Sequence, residues 1–185
     1  MIIVISGPSG VGKGTIVKEL IKKDKKIELV ITCTTRVKRK NERDGKDYYF
    51  LSEEEFSNNI KSDKFAEYSI VHGKHYGVSK KSIETGLSNK KDVLLQIDVQ
   101  GAKKIKNQYE KALLIFIMPP SIDALFKRLE RRNTETPEEK ENRIKRAKEE
   151  IEERGFYDFI VINDELNRTV NEVLNIIRSE RNRRF

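Results

Sequence analysis

The chain has 185 residues, of which 36% are hydrophobic and 37% are charged, and its formal net charge is +8. We expect a chain of this length to form one domain with a substantial core, and its apolar runs are too short to span a bilayer or to act as a signal peptide. The single cysteine, Cys33, excludes an internal disulfide and favours a reducing, cytoplasmic location. The excess of basic residues is compatible with nucleic acid, an anionic membrane or a polyphosphate as partner. The sequence motifs are needed to distinguish among these partners.

Short β-branched or aromatic runs alternate with helical patterns along most of the chain. This alternation predicts an α/β fold in three layers, with a parallel sheet covered by helices on both faces. The predicted buried strands are residues 2–6, 92–97, 113–118 and 159–162. The predicted helices are residues 12–23, 100–109, 122–131, 137–154 and 166–180. Ligands of such sheets bind outside the carboxyl ends of the strands, so we expect the turns after these strands to surround one crevice.

The turn between the first strand and the first helix is rich in glycine. Its sequence is Gly7, Pro8, Ser9, Gly10, Val11, Gly12, Lys13, Gly14 and Thr15. The segment matches the phosphate-binding loop G-x-x-x-x-G-K-[ST] except at its last position, where Gly14 replaces the hydroxyl residue that contacts Mg²⁺. Inward-pointing backbone N–H groups, the helix dipole and the Lys13 ammonium all favour a polyphosphate ligand. The loop therefore predicts a nucleoside triphosphate site.

Residues 28–86 interrupt the alternation of strands and helices. Strand-like segments occur at residues 29–35, 47–51, 65–71 and 74–78. Ser52, followed three residues later by Glu55, indicates a capping box at the start of a helix. The pattern predicts a small mixed α+β lobe, about residues 32–86, that is inserted beside the loop and holds a second substrate.

A polar segment near the end of the chain, residues 133–142, lies between clusters of arginine. Thr136 followed by Pro137 is typical of a helix start. The neighbouring arginines are Arg128, Arg131, Arg132, Arg143 and Arg146. We expect a helical lid, about residues 132–154, that closes over phosphates, with a solvated helical hairpin as the alternative. The core then comprises residues 1–31, 87–131 and 155–185.

Further motifs occur in order along the chain. They are residues 32–39 (TCTTRVKR), 42–50 (ERDGKDYYF), 65–68 (FAEY), 75–77 (HYG), 97–101 (IDVQG), 131–135 (RRNTE) and 162–164 (IND). Over essentially its whole length the chain resembles the guanylate kinases, which transfer the γ-phosphate of ATP to GMP. The resemblance implies ATP and GMP as substrates, with dGMP as a second acceptor, and Mg²⁺ as the cofactor. It also implies a monomer or homodimer without a nucleic-acid or membrane partner.

The resemblance also assigns roles at the acceptor site. The phosphate of GMP would be held by Arg36, Arg39, Tyr48 and Tyr76. Paired guanidinium groups suit a phosphate dianion because each offers two parallel N–H donors. Glu67 would read guanine, since one carboxylate accepts from both N1–H and N2–H₂, and Thr32 would touch the base. Asp98 would complete the GMP site and approach Mg²⁺ through water.

At the donor site the resemblance implies that the glycine-rich loop and Asn163 bind ATP. The implied catalytic residues are Lys13, Arg36, Arg132 and Arg143. These cations would neutralise the charge of the phosphoryl group in transfer, which needs positioning and electrostatic stabilisation more than covalent chemistry.

Three residues depart from the family pattern, and three other functions remain as alternatives. Gly14 lacks the hydroxyl, Val78 replaces a small hydroxyl residue beside the base, and Gln96 replaces an acidic residue. Another nucleoside monophosphate kinase, acting on AMP, UMP or dTMP, is disfavoured by Glu67. A non-catalytic guanylate-kinase-like binding module is disfavoured by Lys13 and the lid arginines. A nucleic-acid binder would explain the charge, but the sequence contains no recognised nucleic-acid motif.

Overall fold

The computed structural model of the protein describes residues 1–71, 73–130 and 137–183, without the side chains of residues 128–130, 137–141 and 143. The strands are β1 (Ile2–Ser6), β2 (Ile27–Leu29), β3 (Cys33–Thr34), β4 (Tyr49–Phe50), β5 (Phe65–Val71), β6 (Lys74–Ser79), β7 (Asp92–Gln96), β8 (Leu113–Met118) and β9 (Phe159–Ile162). The helices are α1 (Lys13–Lys23), α2 (Glu53–Lys61), α3 (Lys80–Ser88), α4 (Val99–Gln108), α5 (Ile122–Glu130), α6 (Pro137–Glu152) and α7 (Leu166–Arg183), and a 3₁₀ turn, Glu153–Phe156, follows α6.

The core is a parallel five-stranded sheet in the order β2-β7-β1-β8-β9. Successive side chains of a strand point to opposite faces, and β1 is buried on both. Ile3 and Ile5 pack in a cluster with α1 and α7, while Ile2 and Val4 pack in a second cluster with α3 and α4. Burial on both sides explains the uninterrupted apolar run of β8, and helices on both faces of the sheet confirm the predicted three-layer α/β fold.

A second, mixed sheet has the order β4-β3-β6-β5, in which β3 and β4 are parallel and the other pairs are antiparallel. Cys33, Phe56 and Phe65 form its own small core against α2. Helix α2 begins with the predicted capping box, because Ser52 and Glu55 bond each other's backbone N–H groups. The segment inserted into the α/β domain therefore folds around a separate apolar centre.

The prediction of one strand over residues 29–35 is wrong. The chain leaves the core sheet after Leu29, and Val30 still donates its N–H to Leu94 O at 3.0 Å. It enters the small sheet at Cys33, so one strand-like sequence run contributes residues to two sheets. Helix α3 lies in a region without a predicted helix, and its start is capped by the Ser79 side chain.

Helix α7 extends to Arg183, beyond the predicted end at residue 180. Its last turns are held because Arg181 donates to Asp92 Oδ2 at 2.6 Å and to Asp24 Oδ2 at 3.0 Å. This ion pair ties α7 to β7 and to the end of α1. Within the described part of the chain, no helix is both long enough and apolar enough to cross a membrane.

Candidate active site

The glycine-rich loop leaves β1 at the carboxyl edge of the core sheet and is fixed there by close backbone packing. Gly7 has φ of 139°, and a Cβ atom at this residue would lie 2.2 Å from Ile117 O. Gly12 has φ of 101°, and its Cβ atom would lie 2.7 Å from Asn163 Nδ2. Both positions require glycine for backbone conformation and for space, which is how the motif spacing specifies the path of the loop.

Asn163 connects the loop to the end of β9. Its side-chain Nδ2 donates to Val11 O at 2.7 Å, and its backbone N donates to Met118 O at 2.7 Å. Lys13, the first residue of α1, turns back over the loop, where its Nζ donates to Gly7 O at 2.5 Å and to Pro8 O at 3.1 Å. The structure thus brings Asn163 and the predicted ATP-binding loop together at the carboxyl edge of the sheet.

An acidic residue of α6 also reaches this loop. Ser9 N donates to Glu150 Oε2 at 3.3 Å, and Arg146 Nε lies 3.6 Å from Glu150 Oε1. Burial raises the pKa of Glu150 against the opposing influence of Lys13 and Arg146. The sequence analysis missed Glu150 because it lies within a uniformly charged helix and belongs to no motif. The Ser9 N–H therefore points out of the loop towards a carboxyl group, the direction in which the sequence predicts a phosphate.

The inserted lobe holds a clamp of arginine and tyrosine side chains, defined here as Arg36, Tyr48 and Tyr76. Arg36 Nε donates to the Tyr76 hydroxyl oxygen at 3.2 Å, and its guanidinium carbon lies 5.3 Å from the centre of the Tyr48 ring. The Tyr48 and Tyr76 rings meet edge to face, with centroids 6.0 Å apart. Three predicted phosphate ligands therefore converge at one place.

The other predicted acceptor-site residues of this segment lie less centrally. The side chain of Arg39 is 67% exposed, and its Nη1 lies 4.0 Å from Glu42 Oε1. Thr32 is buried at the entrance to the lobe, where its carbonyl accepts from Tyr49 N at 3.0 Å. The structure thus places Arg36 within the clamp and Arg39 at its solvent side.

Glu67 lies at the inner end of β5 and is 3% exposed. Among the described residues its Oε2 has no hydrogen-bond partner. Burial, followed by the nearby charge of Asp98, raises the pKa of Glu67 to about 8. A Cβ atom at Gly101 in α4 would lie 2.8 Å from Glu67 Oε2, so the carboxylate occupies space that the glycine leaves open. A buried carboxyl group without a partner is a strong candidate for ligand recognition.

Asp98 caps the amino end of α4 beside Glu67. Its Oδ1 accepts from Gly101 N at 2.8 Å, and its Oδ2 accepts from Ser69 Oγ at 2.9 Å. The side chain therefore joins the small sheet to the core, in addition to the metal and acceptor roles that the sequence resemblance implies.

The three departures from the family pattern lie beside two of the predicted binding regions. Val78 is buried and pairs directly with Glu67 across β5 and β6, so the position opposite the Glu67 carboxyl group is apolar. A Cβ atom at Gly14 would lie 3.8 Å from Gln96 Oε1, so these two departures are neighbours in space. The predicted lid residues Arg131 and Arg132, and the side chains of Arg128 and Arg143, lie outside the described part of the structure.

A glycine-rich loop between β1 and α1 at the carboxyl edge of a parallel sheet defines a P-loop nucleotide-binding protein. A family model described as guanylate kinase matches residues 1–180. The guanylate kinase of Caldanaerobacter subterraneus is 45% identical over 98% of the chain and 88% of the relative, and that of Clostridium tetani is 43% identical over 98% and 86%. The crystal structure of guanylate kinase from Anaplasma phagocytophilum superposes with a TM-score of 0.83 at 34% identity, covering 97% of this chain and 85% of that one. The chain belongs to the guanylate kinase family.

Proposed function

We propose that the protein catalyses Mg²⁺-dependent transfer of the γ-phosphate of ATP to GMP, and also to dGMP, yielding ADP and GDP or dGDP for purine nucleotide metabolism in the cytoplasm. The assignment of GMP as the acceptor rests on one observation. Glu67 is buried, and among the described residues one oxygen of its carboxyl group has no hydrogen-bond partner. Family membership and the geometry of the P-loop support the donor assignment.

Recognition of guanine follows from the hydrogen-bonding capacity of Glu67. An ionised carboxylate accepts from N1–H and N2–H₂ of guanine at the same time, whereas the corresponding edge of adenine lacks this pair of donors. AMP would leave Glu67 unmatched in its ionised form, and a mismatch of this type reduces kcat/KM by about 10⁴-fold. Val78 offers no hydroxyl opposite Glu67, so in this proposal Glu67 carries most of the discrimination.

The clamp would hold the acceptor phosphate. Arg36 supplies a planar pair of N–H donors, while the hydroxyl groups of Tyr48 and Tyr76 add further donors to the same oxygens. Arg39 would close on the phosphate from its exposed position. The acceptor is already an ionised oxygen, so the reaction needs no general base, and the remaining work of the protein is alignment and charge neutralisation.

The P-loop would bind the phosphates of ATP through backbone N–H groups and Lys13. Mg²⁺ prefers oxygen ligands and retains much of its water, so the nucleotide phosphates and water would hold most of it. Asp98 would approach the metal through water. The bound ion would neutralise charge on the transferring group, and Arg132 and Arg143 of the proposed lid would add positive charge.

The test is ADP release from ATP and Mg²⁺ with GMP, dGMP, AMP, UMP or dTMP as the acceptor. The proposal predicts rapid turnover with GMP and dGMP and little with AMP. Preference for another nucleotide would reassign the acceptor. Tight GMP binding without turnover with any acceptor would instead support the non-catalytic binding module.

A further inference from the structure

Glu42 contacts both Arg36 and Arg39, the two arginines that are proposed to bind the phosphate of GMP. Arg36 Nη2 donates to Glu42 Oε1 at 2.8 Å, and the backbone N of Arg39 donates to Glu42 Oε2 at 2.9 Å. The side chains of Arg36 and Glu42 are each 16% exposed. Both carboxylate oxygens therefore accept from the segment that carries the proposed phosphate ligands.

These contacts leave Arg36 with a defined set of donors. Its Nε bonds Tyr76, its Nη1 donates to Val37 O at 2.8 Å, and its Nη2 bonds Glu42. A guanidinium group has five N–H donors, so each terminal nitrogen keeps one for another acceptor. Each nitrogen of Arg36 is anchored, and the remaining donors have a fixed direction.

We propose that Glu42 is a positioning residue for the acceptor phosphate, because it holds Arg36 and the backbone of Arg39 in the arrangement that binds this group. This inference rests on the proposed function, in which the clamp binds the phosphate of GMP. An arginine fixed in advance loses little side-chain freedom when the phosphate arrives, which improves affinity without any direct contact between Glu42 and the ligand.

In the alternative role, the Glu42 carboxylate would compete with the acceptor phosphate for the guanidinium group of Arg36. Several features favour positioning over competition. Both Glu42 oxygens bond N–H groups of its own segment, and Arg36 keeps donors that Glu42 does not occupy. The guanidinium groups of Arg36 and Arg39 outnumber this single carboxylate, so the clamp together with Arg39 keeps a net positive charge. Although burial acts against its charged form, hydrogen bonds from Arg36 and Arg39 lower the pKa of Glu42, and the carboxylate stays ionised.

The test compares Glu42→Gln with the unaltered protein. The amide cannot accept at both positions, so we expect KM for GMP to rise about tenfold, with KM for ATP changed by less than about twofold. Guanosine binding, measured by calorimetry, should be unchanged because guanosine lacks the phosphate. Glu42→Asp keeps the charge on a shorter side chain, so it should give a smaller effect, and it serves as the test if Glu42→Gln does not fold.

Two further variants separate this inference from the proposed function. Glu54→Gln makes the same chemical change on an exposed residue of the same lobe, and KM for GMP should remain within about twofold of normal. Arg36→Lys tests the clamp itself and should weaken GMP binding strongly.

Each remaining outcome has a defined meaning. Unchanged or tighter GMP binding in Glu42→Gln, with Arg36→Lys impaired, would overturn the positioning role and leave the proposed function intact. Equal loss of GMP and guanosine affinity would show that Glu42 only stabilises the lobe, and would also overturn the inference. Normal GMP binding in both variants would overturn the phosphate assignment of the clamp together with the inference.

Discussion

The P-loop and the inserted lobe, the two proposed anion sites, are built by different structural means. The P-loop is built from backbone groups, and even Lys13 is oriented by the carbonyls of Gly7 and Pro8. The clamp in the lobe is built from side chains that orient one another, as Arg36 does with Tyr76 and Glu42. A backbone site depends on glycines that permit one conformation, whereas a side-chain site depends on each partner being present. We therefore expect the two regions to respond differently to substitution.

The largest effect is expected for Lys13→Ala, which removes the only side-chain cation of the P-loop. Its charge has no backbone substitute during phosphoryl transfer, so kcat should fall about 10³-fold. GMP affinity should change little, because the acceptor site lies in the other region. Steady-state kinetics and calorimetry provide the measurements. Lys18→Ala, an exposed change on the same helix, is the control. Turnover close to normal in Lys13→Ala would contradict the proposed donor site.

Glu67→Gln should produce the next largest effect and confine it to the acceptor. The amide offers guanine one acceptor and one mismatched donor, so kcat/KM for GMP should fall about 10³-fold. The affinity for ATP should stay within about twofold, since Glu67 belongs to β5 of the inserted lobe and not to the P-loop. The two quantities to measure in this variant are kcat/KM for GMP and the dissociation constant of ATP. An equal loss of GMP and ATP binding would remove the distinction between the two regions.

The pH dependence of GMP binding should also originate in the lobe. Because burial raises the pKa of Glu67 to about 8, this group is largely protonated at neutral pH before guanine binds. Guanine needs the ionised carboxylate, so the affinity for GMP should rise with pH. Well below pH 8, the increase should approach about tenfold per pH unit. Calorimetry in two buffers of different ionisation enthalpy should detect the released proton, and Glu67→Gln should abolish it.

The same shift predicts how stability depends on pH. The native state holds the proton of Glu67 at pH values where the unfolded chain, with an ordinary pKa near 4.5, has lost it. Stability should therefore fall as the pH rises from that value towards 8. Glu67→Gln should flatten this part of the profile. An identical slope of Tm against pH in the two proteins would contradict the assignment.

The smallest effects are expected at the metal side of the P-loop. A Cβ atom at Gly14 would be in ordinary contact distance of Gln96, at 3.8 Å, so the backbone position tolerates a side chain. We expect Gly14→Ser and Gln96→Glu each to lower by about threefold the Mg²⁺ concentration needed for ATP binding, since each adds an oxygen ligand or a negative charge. Because the residues are adjacent, the double variant should deviate from additivity. Magnesium titrations of ATP binding that coincide for all variants would exclude this interpretation.

The contrast between the two regions also explains what the sequence could reveal. The P-loop is contiguous, so its glycine spacing predicts both its conformation and its ligand. Arg36 and Tyr76 are 40 residues apart, and only the resemblance to a known family placed them together. Glu42 lies in a strongly charged stretch that, taken alone, is typical of a solvated loop. Its role depends on long-range folding that positions Arg36, which no local pattern contains.

The fold was predictable where strands are short apolar runs and harder to predict where the chain changes sheets. The core strands β1, β8 and β9 lie where their apolar runs predict, although β9 is exposed on one face. Residues 29–35 form one strand-like run in sequence but belong to two sheets in space, since the register with β7 ends at Leu29. Glu150 went unrecognised for a related reason, because its contact with Ser9 comes from packing of α6 and not from a motif.

The missing side chain of Gly101 has a consequence for how the acceptor is selected. Because Gly101 of helix α4 has no side chain, it leaves a space, and the Glu67 carboxyl group fills that space. A single methyl group there would displace the carboxylate that is proposed to read guanine. Under the proposed function, the choice of base would depend partly on this position in α4, and Gly101→Ala, which changes neither charge nor polarity, should alter the nucleotide that the protein accepts.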